Sequence, residues 1–238
     1  MTAQYDRSCY LVKVVTERKR RADGERTRDA IVREAVSLAT LDGLEGLSIG
    51  HLAGALDMSK SGIYAHFGSK QDLQLATVDE AARIFEAEVI QPALAAEPGL
   101  AQLVALCDAF FDHLMRHTFP GGCFFAGAVL EMGTRPGPVK EQIAMFQSGF
   151  SALIREFIVT ALAQHELPAD EDADELTFEL NGMILAANAN FVLRDDPATL
   201  TTAKHIVRRR LGIATTAAPR ASAAGSKSSA KAKPVSRR

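Results

Sequence analysis

The stretch SIGHLAGALDMSKSGIYAHFGSK, residues 48–70, decides the fold because it predicts two short helices joined by a tight turn. Apolar residues in its first half recur at the three-and-four spacing of an amphipathic helix, and Ser48 precedes them as a favourable N-cap. Asp57, Met58 and Ser59 then form a turn, in which Asp57 tolerates a left-handed backbone and Ser59 can cap the next helix. The pattern is that of a helix-turn-helix, so DNA binding is the leading hypothesis.

The second helix of the pair is predicted from Lys60 to about Phe67 and has a polar face. Ile63 and Phe67 are expected to be buried, because they are four positions apart on the helix. This arrangement leaves a set of hydrogen-bond donors on or beside the opposite face, namely Lys60, Ser61, Tyr64 and His66. Donors of this kind suit contacts with a DNA duplex.

Gly62 and the residues that follow this helix carry two further signals. A glycine costs an exposed helix about 1 kcal/mol relative to alanine, so Gly62 indicates close approach of a backbone or phosphate, or close packing on the neighbouring helix. Ser69 then opens a capping-box pattern that ends at Asp72, with Lys70 on the first turn of a longer helix. A helix N-terminus beside a lysine can bind a phosphate group.

The residues from Met58 to Leu73 resemble the DNA-binding signature of the tetracycline-repressor (TetR) family. The resemblance begins near Arg26, includes a first helix at 28–41, and is strong to about residue 75; beyond that point only the layout of helices is similar. Asp57 stands where a glycine is common in the family. The resemblance implies an all-α protein of about nine helices, in which a three-helix DNA-binding domain precedes a helical effector-binding and dimerisation domain.

The residues of the helix-turn-helix are expected to divide between two kinds of DNA contact. Groove contacts are expected from Lys60, Ser61, Gly62 and Tyr64, and phosphate contacts from Ser48, Ser59, Tyr64, His66 and Lys70.

The net charge of −2 conceals a division along the chain. Residues 1–70 carry a net charge of +2, residues 71–214 of −10, and residues 215–238 of +6. Attraction for phosphate is therefore expected at the two ends of the chain. No apolar run reaches the roughly 18 residues of a membrane helix, and three scattered cysteines do not suit a disulfide framework, so we expect a cytoplasmic protein with no membrane partner.

Four parts are expected along the chain. Residues 1–25, with the basic run Arg18–Arg21, are predicted to be a flexible arm, residues 26–72 the helix-turn-helix domain, and residues 73–214 the ligand-binding and dimerisation domain. Residues 215–238, rich in Ala, Ser, Lys and Arg, are predicted to be a disordered basic tail. The arm and the tail could contact DNA, or could serve as a plain extension and a solubilising tail. The helices of the third part are predicted at 73–90, ended by Pro92, and at 100–115, 124–132, 139–163, 172–193 and 198–211.

The third part is rich in phenylalanine and methionine where helices of the TetR family enclose an effector pocket, and such a lining would suit a small apolar molecule. The alternative for each residue is plain hydrophobic core. The predicted lining consists of Phe110, Phe111, Leu114, Phe124, Phe125, Met132, Met145 and Phe146. The resemblance further implies that the apolar stripes of the last two helices, Asp172–Leu193 and Ala198–Leu211, form a homodimer, although such stripes are often internal core.

Other chemistries have weaker support. Cys123 begins a predicted helix, where the macrodipole can favour a thiolate, so a thiol or redox sensor is an alternative. His113 and His117 are four residues apart, but two ligands do not make a metal site, and we expect neither a metal nor a cofactor. No phosphate loop, nucleophile elbow or paired acid and base is found, so an enzyme is not expected.

The function favoured by the sequence is that of a ligand-responsive repressor. We expect it to bind a palindromic double-stranded DNA operator as a homodimer, because two-fold symmetry in the protein requires a matching site. The alternative from another class is a nucleoid-like protein that binds DNA regardless of sequence through its basic ends.

Overall fold

The computed structural model describes the backbone of residues 7–213 and the side chains of residues 23–213. All regular structure in this part of the chain is helical, and its elements in chain order are α1 (Arg7–Asp42), α2 (Ile49–Ala55), α3 (Lys60–Phe67), α4 (Lys70–Phe85), a π-helical turn (Glu86–Ile90), α5 (Gln91–Leu94), α6 (Leu100–Met115), α7 (Phe124–Met132), α8 (Pro138–Ala163), α9 (Ala173–Arg194) and α10 (Pro197–Arg210). Residues 70–94 run on without interruption, and we call them the connector helix. Counted as one helix, the connector brings the number within residues 7–213 to the nine that were predicted.

The first helix differs from its prediction at its start. α1 begins at Arg7 rather than Arg28, so it takes in most of the segment that was predicted to be a flexible arm. That segment has no clean apolar period, but it is rich in Arg and Lys, which favour helices, and it contains no proline. A segment that extends an existing helix also needs no nucleus of its own. The basic tail predicted at 215–238 lies outside the described residues.

The connector helix also continues past the point where it was predicted to end. Pro92 has no backbone N–H and therefore cannot donate to the carbonyl of Glu88 four residues earlier. The structure accommodates this proline with the π-helical turn, in which the Gln91 N–H donates to the Glu86 carbonyl. The helix thereby continues to Leu94.

The local signals of the helix-turn-helix are confirmed by the structure. Ser48, Ser59 and Ser69 are the N-caps of α2, α3 and α4, and each hydroxyl accepts a hydrogen bond from a backbone N–H three residues later, at 3.0 to 3.1 Å. Asp57 has a left-handed backbone with φ of 51°, as its place in the turn predicts. Gly43 follows the last residue of α1 with φ of 79°, a left-handed conformation that glycine adopts readily at the end of a helix.

Two apolar clusters organise the described chain. The head cluster joins the second half of α1 to α2, α3 and the start of the connector, through Ile31, Val32, Ala35, Leu38, Leu47, Leu52, Ala53, Ile63, Phe67, Leu73 and Ala76. The body cluster is larger and joins the rest of the connector to α6–α10. Val36, Ala39 and Leu44 belong to the body cluster although they come from α1 and the loop after it. α1 and the connector helix therefore contribute to both clusters.

α9 is apolar on two opposite faces. One face, which includes Leu180 and Ile184, is buried in the body cluster. The other face is exposed, and from Phe178 to Leu193 its residues are all apolar or small: Phe178, Gly182, Leu185, Ala186, Ala189, Val192 and Leu193. Phe178 and Leu193 are each 81% exposed. Within the described residues α9 is the one helix with the length and hydropathy of a membrane span, by composition only, and a third of its most apolar window is buried in the protein.

Candidate DNA interface and effector cavity

The outer surface of α3 carries side chains that were predicted to enter a DNA groove. Lys60 and Ser61 are exposed on the first turn, and Tyr64, one turn later, is 49% exposed. Ile63 on the opposite side is fully buried in the head cluster. The packing of α3 therefore leaves an ammonium and two hydroxyl groups together on its solvent side.

The cap serines and His66 lie beside this surface. Ser48 and Ser59 use their hydroxyl oxygens to accept backbone N–H groups, which leaves each hydroxyl hydrogen available for another acceptor such as a phosphate. The hydroxyl groups of Ser59 and Ser61 are 3.1 Å apart. His66 is half-buried, with its ring tilted 51° to that of Phe67.

Lys70 is bound within the protein. Its Nζ donates to the Glu45 carbonyl at 2.6 Å and lies 3.5 Å from a carboxylate oxygen of the same residue. Because Glu45 lies in the loop between α1 and α2, Lys70 holds that loop against the start of the connector helix. The predicted contact between Lys70 and a phosphate would require this hydrogen bond to be exchanged, and it stays a prediction.

Gly62 has no neighbouring helix against its Cα. A Cβ at this position would meet Ser59 Oγ at 3.2 Å and Met58 Cε at 3.5 Å, both from the turn that precedes α3. Close packing on the neighbouring helix, one of the two explanations for this glycine, therefore finds no support. Close approach of another backbone or a phosphate, the other explanation, stays a prediction.

Gly62→Ala is expected to lower operator affinity about tenfold, because the added methyl group would hold α3 away from the DNA; this corresponds to about 1.4 kcal/mol. The free energy of unfolding should change by no more than about 1 kcal/mol, since the gain in helix propensity is opposed by the close Ser59 contact. Fluorescence anisotropy with operator DNA and chemical denaturation measure the two quantities. Gly149→Ala, in α8, is the control: its Cβ meets no atom within 4 Å, so it should affect stability alone. Unchanged operator affinity in Gly62→Ala would contradict the expected close approach.

Glu131 of α7 connects the body to the loop that follows α1. Its two carboxylate oxygens accept hydrogen bonds from the Leu44 and Glu45 backbone N–H groups, each at 2.8 Å. Gly43 leaves room for this carboxylate, because a Cβ there would lie 2.8 Å from both oxygens. A second connection lies nearby, where the Gly121 N–H donates to Thr40 Oγ1 at 3.1 Å. Glu131 could not be predicted from the sequence, since its partners are more than 80 residues away.

A cavity of about 270 Å³ lies in the body between the connector, α6, α7, α8 and α9. Phe85, near the middle of the connector helix, packs against four other phenylalanines. The distance between ring centroids is 6.3 Å or less from Phe85 to each of Phe110, Phe125, Phe146 and Phe150. The complete lining is Phe85, Phe110, Cys123, Phe125, Ala126, Val129, Phe146, Gln147, Phe150, Phe178, Asn181, Gly182, Ile184 and Leu185. The cavity therefore borders the connector helix directly.

The residues predicted to line a pocket fall into three groups. Phe110, Phe125 and Phe146 do line the cavity. The structure places four others in the body core, outside the lining: Phe111, Leu114, Phe124 and Met132. Met145 is 69% exposed, because it lies on the outer side of α8. Phe85 and Phe178 also line the cavity but were not predicted, because the prediction followed the densest aromatic stretch of the sequence.

The polar groups of the cavity are neutral amides. Gln147 Nε2 lies 3.4 Å from Asn181 Oδ1, and the Asn181 amide donates to the Thr177 carbonyl at 2.9 Å. No Lys, Arg, Asp or Glu belongs to the lining. An uncharged ligand with few hydrogen-bonding groups fits this chemistry, since a charged one would be left unpaired in an apolar site.

Cys123 is buried in the cavity wall and is held through its backbone, whose N–H donates to Asn188 Oδ1 at 2.8 Å. Burial raises the pKa of the Cys123 thiol to about 11, despite favourable backbone hydrogen bonds from α7. A thiolate is therefore disfavoured near neutral pH, and the redox-sensor alternative loses the chemical basis on which it depended.

His113 and His117 do not converge on one point. His113 is buried, and its Nδ1 lies 2.8 Å from Glu88 Oε2 in the π-helical turn, whereas the His117 ring packs against Phe191. Burial lowers the pKa of His113, although the hydrogen bond to Glu88 opposes this effect. Glu88 also accepts hydrogen bonds from Thr118 and Arg116. Burial raises the pKa of the Glu88 carboxyl, but the hydrogen bonds from His113, Thr118 and Arg116 together outweigh burial, so the pKa of Glu88 is lowered. The network connects the π-helical turn to the end of α6.

Two protein-family models match this chain, one over the helix-turn-helix part and one over the body. A model described as "Bacterial regulatory proteins, tetR family" matches residues 31–77, and one described as "Tetracyclin repressor-like, C-terminal domain" matches residues 99–207. The chain belongs to the TetR family. As a member of that family it is a DNA-binding transcriptional regulator, and the resemblance found in the helix-turn-helix is confirmed.

Solved structures of TetR-family regulators share the fold. One from Chloroflexus aurantiacus is 24% identical with a TM-score of 0.74, over 80% of this chain and 96% of that one. One from Agrobacterium tumefaciens is 19% identical with a TM-score of 0.71, over 78% of this chain and 98% of that one. AibR, solved in complex with isovaleryl coenzyme A and operator DNA, is 22% identical with a TM-score of 0.62, over 76% and 97% of the two chains. No curated protein sequence matches this TetR-family chain.

Proposed function

We propose that this TetR-family protein is a homodimeric repressor that binds an inverted-repeat operator and releases it when a small apolar molecule occupies the cavity. In this proposal residues 26–72 form the DNA-binding domain and residues 73–214 the ligand-binding and dimerisation domain. The observation that carries the proposal is that one helix, the connector, reaches both sites. Phe85 of the connector lines the cavity, and the start of the same helix packs in the head cluster with α3.

Two observations support the proposed DNA contacts: the exposed polar side of α3 and the match to the TetR family. Lys60, Ser61 and Tyr64 share its solvent side, and Ser48 and Ser59 present hydroxyl hydrogens at the starts of α2 and α3. Helix N-termini carry partial positive charge, so phosphates are expected at the two serines and base edges at the α3 side chains. Because α3 is short and partly built from small residues, DNA shape is expected to supply much of the specificity.

The exposed face of α9 is proposed to form the dimer interface. The seven residues of this face between Phe178 and Leu193 carry no charge, and such a surface on a soluble protein indicates a protein interface. A groove of about 440 Å³ runs between α9 and α10 on its flank and has a mixed lining that includes Met183, Asn190 and Ile206. Two copies related by a two-fold axis would present their α3 helices to half-sites about 34 Å apart, which requires an inverted repeat.

The effector is proposed to be uncharged. AibR was solved with isovaleryl coenzyme A, but the phosphates of a coenzyme A thioester need cationic partners, and no lysine or arginine lines the cavity here. A cavity of about 270 Å³ with two amides suits a compact apolar molecule with one or two polar groups. The mechanism requires that this molecule binds the operator-free state better, so operator must weaken its binding by the same factor.

Selection of DNA from a random duplex library tests the proposal. Full-length protein at about 0.15 M salt, where purely electrostatic binding is weakened, should recover an inverted repeat with half-sites about one helical turn apart. Recovery of no motif would instead support the nucleoid-like alternative. Deletion of residues 215–238 provides the matched comparison: a repressor keeps its operator selectivity, whereas a protein driven by its basic tail loses nearly all affinity.

A further inference from the structure

The strong hydrogen-bonding side chains of the effector cavity lie together, where α8 packs on α9. Gln147 of α8 and Asn181 of α9 both line the cavity, and Gln147 Nε2 is 3.4 Å from Asn181 Oδ1. The other lining side chains that the structure describes are apolar, apart from the Cys123 thiol, which is a weak hydrogen-bonding group. A polar group on a bound ligand therefore finds its best side-chain partners at this pair of amides.

Contacts within the protein determine which way the Asn181 amide points. Its Nδ2 donates to the Thr177 carbonyl at 2.9 Å and lies 3.4 Å from Ser151 Oγ. Because a carbonyl can only accept, the nitrogen must lie on that side of the amide and Oδ1 on the side of Gln147. Asn181 thus uses its donors inside the protein, whereas its oxygen, with two lone pairs, makes one long contact among the described residues.

The Gln147 amide is oriented by that same contact. Since Asn181 Oδ1 is an acceptor, Gln147 turns its Nε2 toward it, and this nitrogen carries a second N–H. Hydrogen bonds from N–H to oxygen normally measure about 2.7–3.2 Å, so the contact at 3.4 Å is a weak one that a ligand can replace. The cavity therefore presents an acceptor and a donor side by side.

We propose that the effector carries a hydroxyl group that binds to both amides, donating to Asn181 Oδ1 and accepting from Gln147 Nε2. This inference rests on the proposed function and deepens it: the ligand class becomes neutral alcohols and phenols with a compact apolar body. A hydroxyl group is the smallest neutral group that both donates and accepts, and one oxygen can reach two atoms that are 3.4 Å apart. An ether or ketone oxygen would leave Asn181 Oδ1 without a donor once the ligand had displaced water, which is unfavourable.

The test compares three naphthalenes that differ in one substituent. The hydroxyl group of 1-naphthol donates and accepts, the oxygen of 1-methoxynaphthalene only accepts, and the methyl group of 1-methylnaphthalene does neither. The chain contains no tryptophan, so the fluorescence of each naphthalene can report its binding to the full-length protein directly. Affinities are expressed relative to 1-methylnaphthalene in each protein, which cancels the free energies of the probes in water in the manner of a double-mutant cycle.

Two variants are expected to give different patterns. Gln147→Leu removes the donor, so the relative affinities of 1-naphthol and 1-methoxynaphthalene should both fall about five- to tenfold, the effect of about one net hydrogen bond. Asn181→Leu removes the acceptor, so the relative affinity of 1-naphthol alone should fall by a similar factor. Binding of 1-methylnaphthalene shows that a variant keeps a folded cavity. Gln71→Leu, at an exposed glutamine outside the lining, is the matched control and should keep the wild-type ratios.

The inference fails if Gln147→Leu keeps the wild-type ratios, whereas binding of 1-methylnaphthalene would still support an apolar cavity. Gln147→Leu decides the question alone if Asn181→Leu, which also gives up its bond to the Thr177 carbonyl, does not fold. A wild-type protein that binds none of the three naphthalenes would overturn the apolar cavity assignment together with this inference. Operator selection would then still test DNA recognition separately.

Discussion

Phe85→Ala is expected to lower the free energy of unfolding by about 3–5 kcal/mol, the largest stability effect of any single substitution considered for this protein. Phe85 is 3% exposed and packs edge-to-face against Phe125, Phe146 and Phe150. Its removal loses the transfer free energy of the ring, these aromatic contacts, and the packing of the atoms around a new void. Chemical denaturation followed by circular dichroism at a fixed protein concentration measures the change.

Phe85→Leu is the control, because it keeps an apolar side chain of intermediate size. Its cost should be about 1.5 kcal/mol or less if the cavity wall adjusts to the new shape. The alanine variant should also regain part of its stability in the presence of N-phenyl-1-naphthylamine, an uncharged apolar fluorophore used as a probe of the cavity, since a ligand bound to the native state shifts the unfolding equilibrium. A cost below about 1 kcal/mol for Phe85→Ala would show that the ring is not packed as described.

Glu131→Ala is expected to remove most of the coupling between effector and operator. The carboxylate accepts the Leu44 and Glu45 N–H groups at 2.8 Å, so α7, which supplies part of the cavity wall, holds the loop that leads into α2. Allosteric coupling in proteins is typically about 1–3 kcal/mol, which is a factor of 5–150 in affinity. In the variant the factor by which an effector weakens operator binding should approach one, as measured by operator titrations with and without the effector.

Two further variants separate coupling from general damage to the fold. Glu131→Gln keeps one carbonyl acceptor and loses the charge, so its coupling should lie between those of the wild type and the alanine variant. Glu156→Ala removes an exposed glutamate of α8 and should leave coupling unchanged. Full coupling in Glu131→Ala would show that the signal reaches the DNA-binding residues by another route, such as the connector helix or the Gly121–Thr40 contact.

Sequence reasoning was most successful where the signal was local. The caps at Ser48, Ser59 and Ser69 and the left-handed Asp57 were all predicted, because a cap or turn depends on residues within a few positions of each other. The start of α1 was missed because the segment after Arg7 carries helix propensity without an apolar period. The π-helical turn before Pro92 was missed because a proline in sequence indicates the end of a helix more often than its accommodation.

The cavity and the Glu131 contact depend on distant parts of the chain. Periodicity shows which side of a helix is apolar, but not whether that side meets packed atoms or open space. Phe110 and Phe111 are adjacent in sequence, yet only Phe110 lines the cavity. Phe178 could have been noticed from its position on the α9 face opposite Leu180, which no internal core requires. Glu131 carries no such signal, because its partners are backbone groups.

The sharing of α1 between two apolar clusters limits how far this regulator can be treated as a set of interchangeable modules. Val36, Ala39 and Leu44 lie in the segment that carries the helix-turn-helix, but their side chains are buried against the body. A chimera that joined residues 26–72 to the regulatory helices of another family member would press these three side chains against a surface that did not evolve with them. New operator preferences are therefore more readily acquired by substitution on the solvent side of α3 than by exchange of whole domains, because that surface can vary without disturbing either cluster.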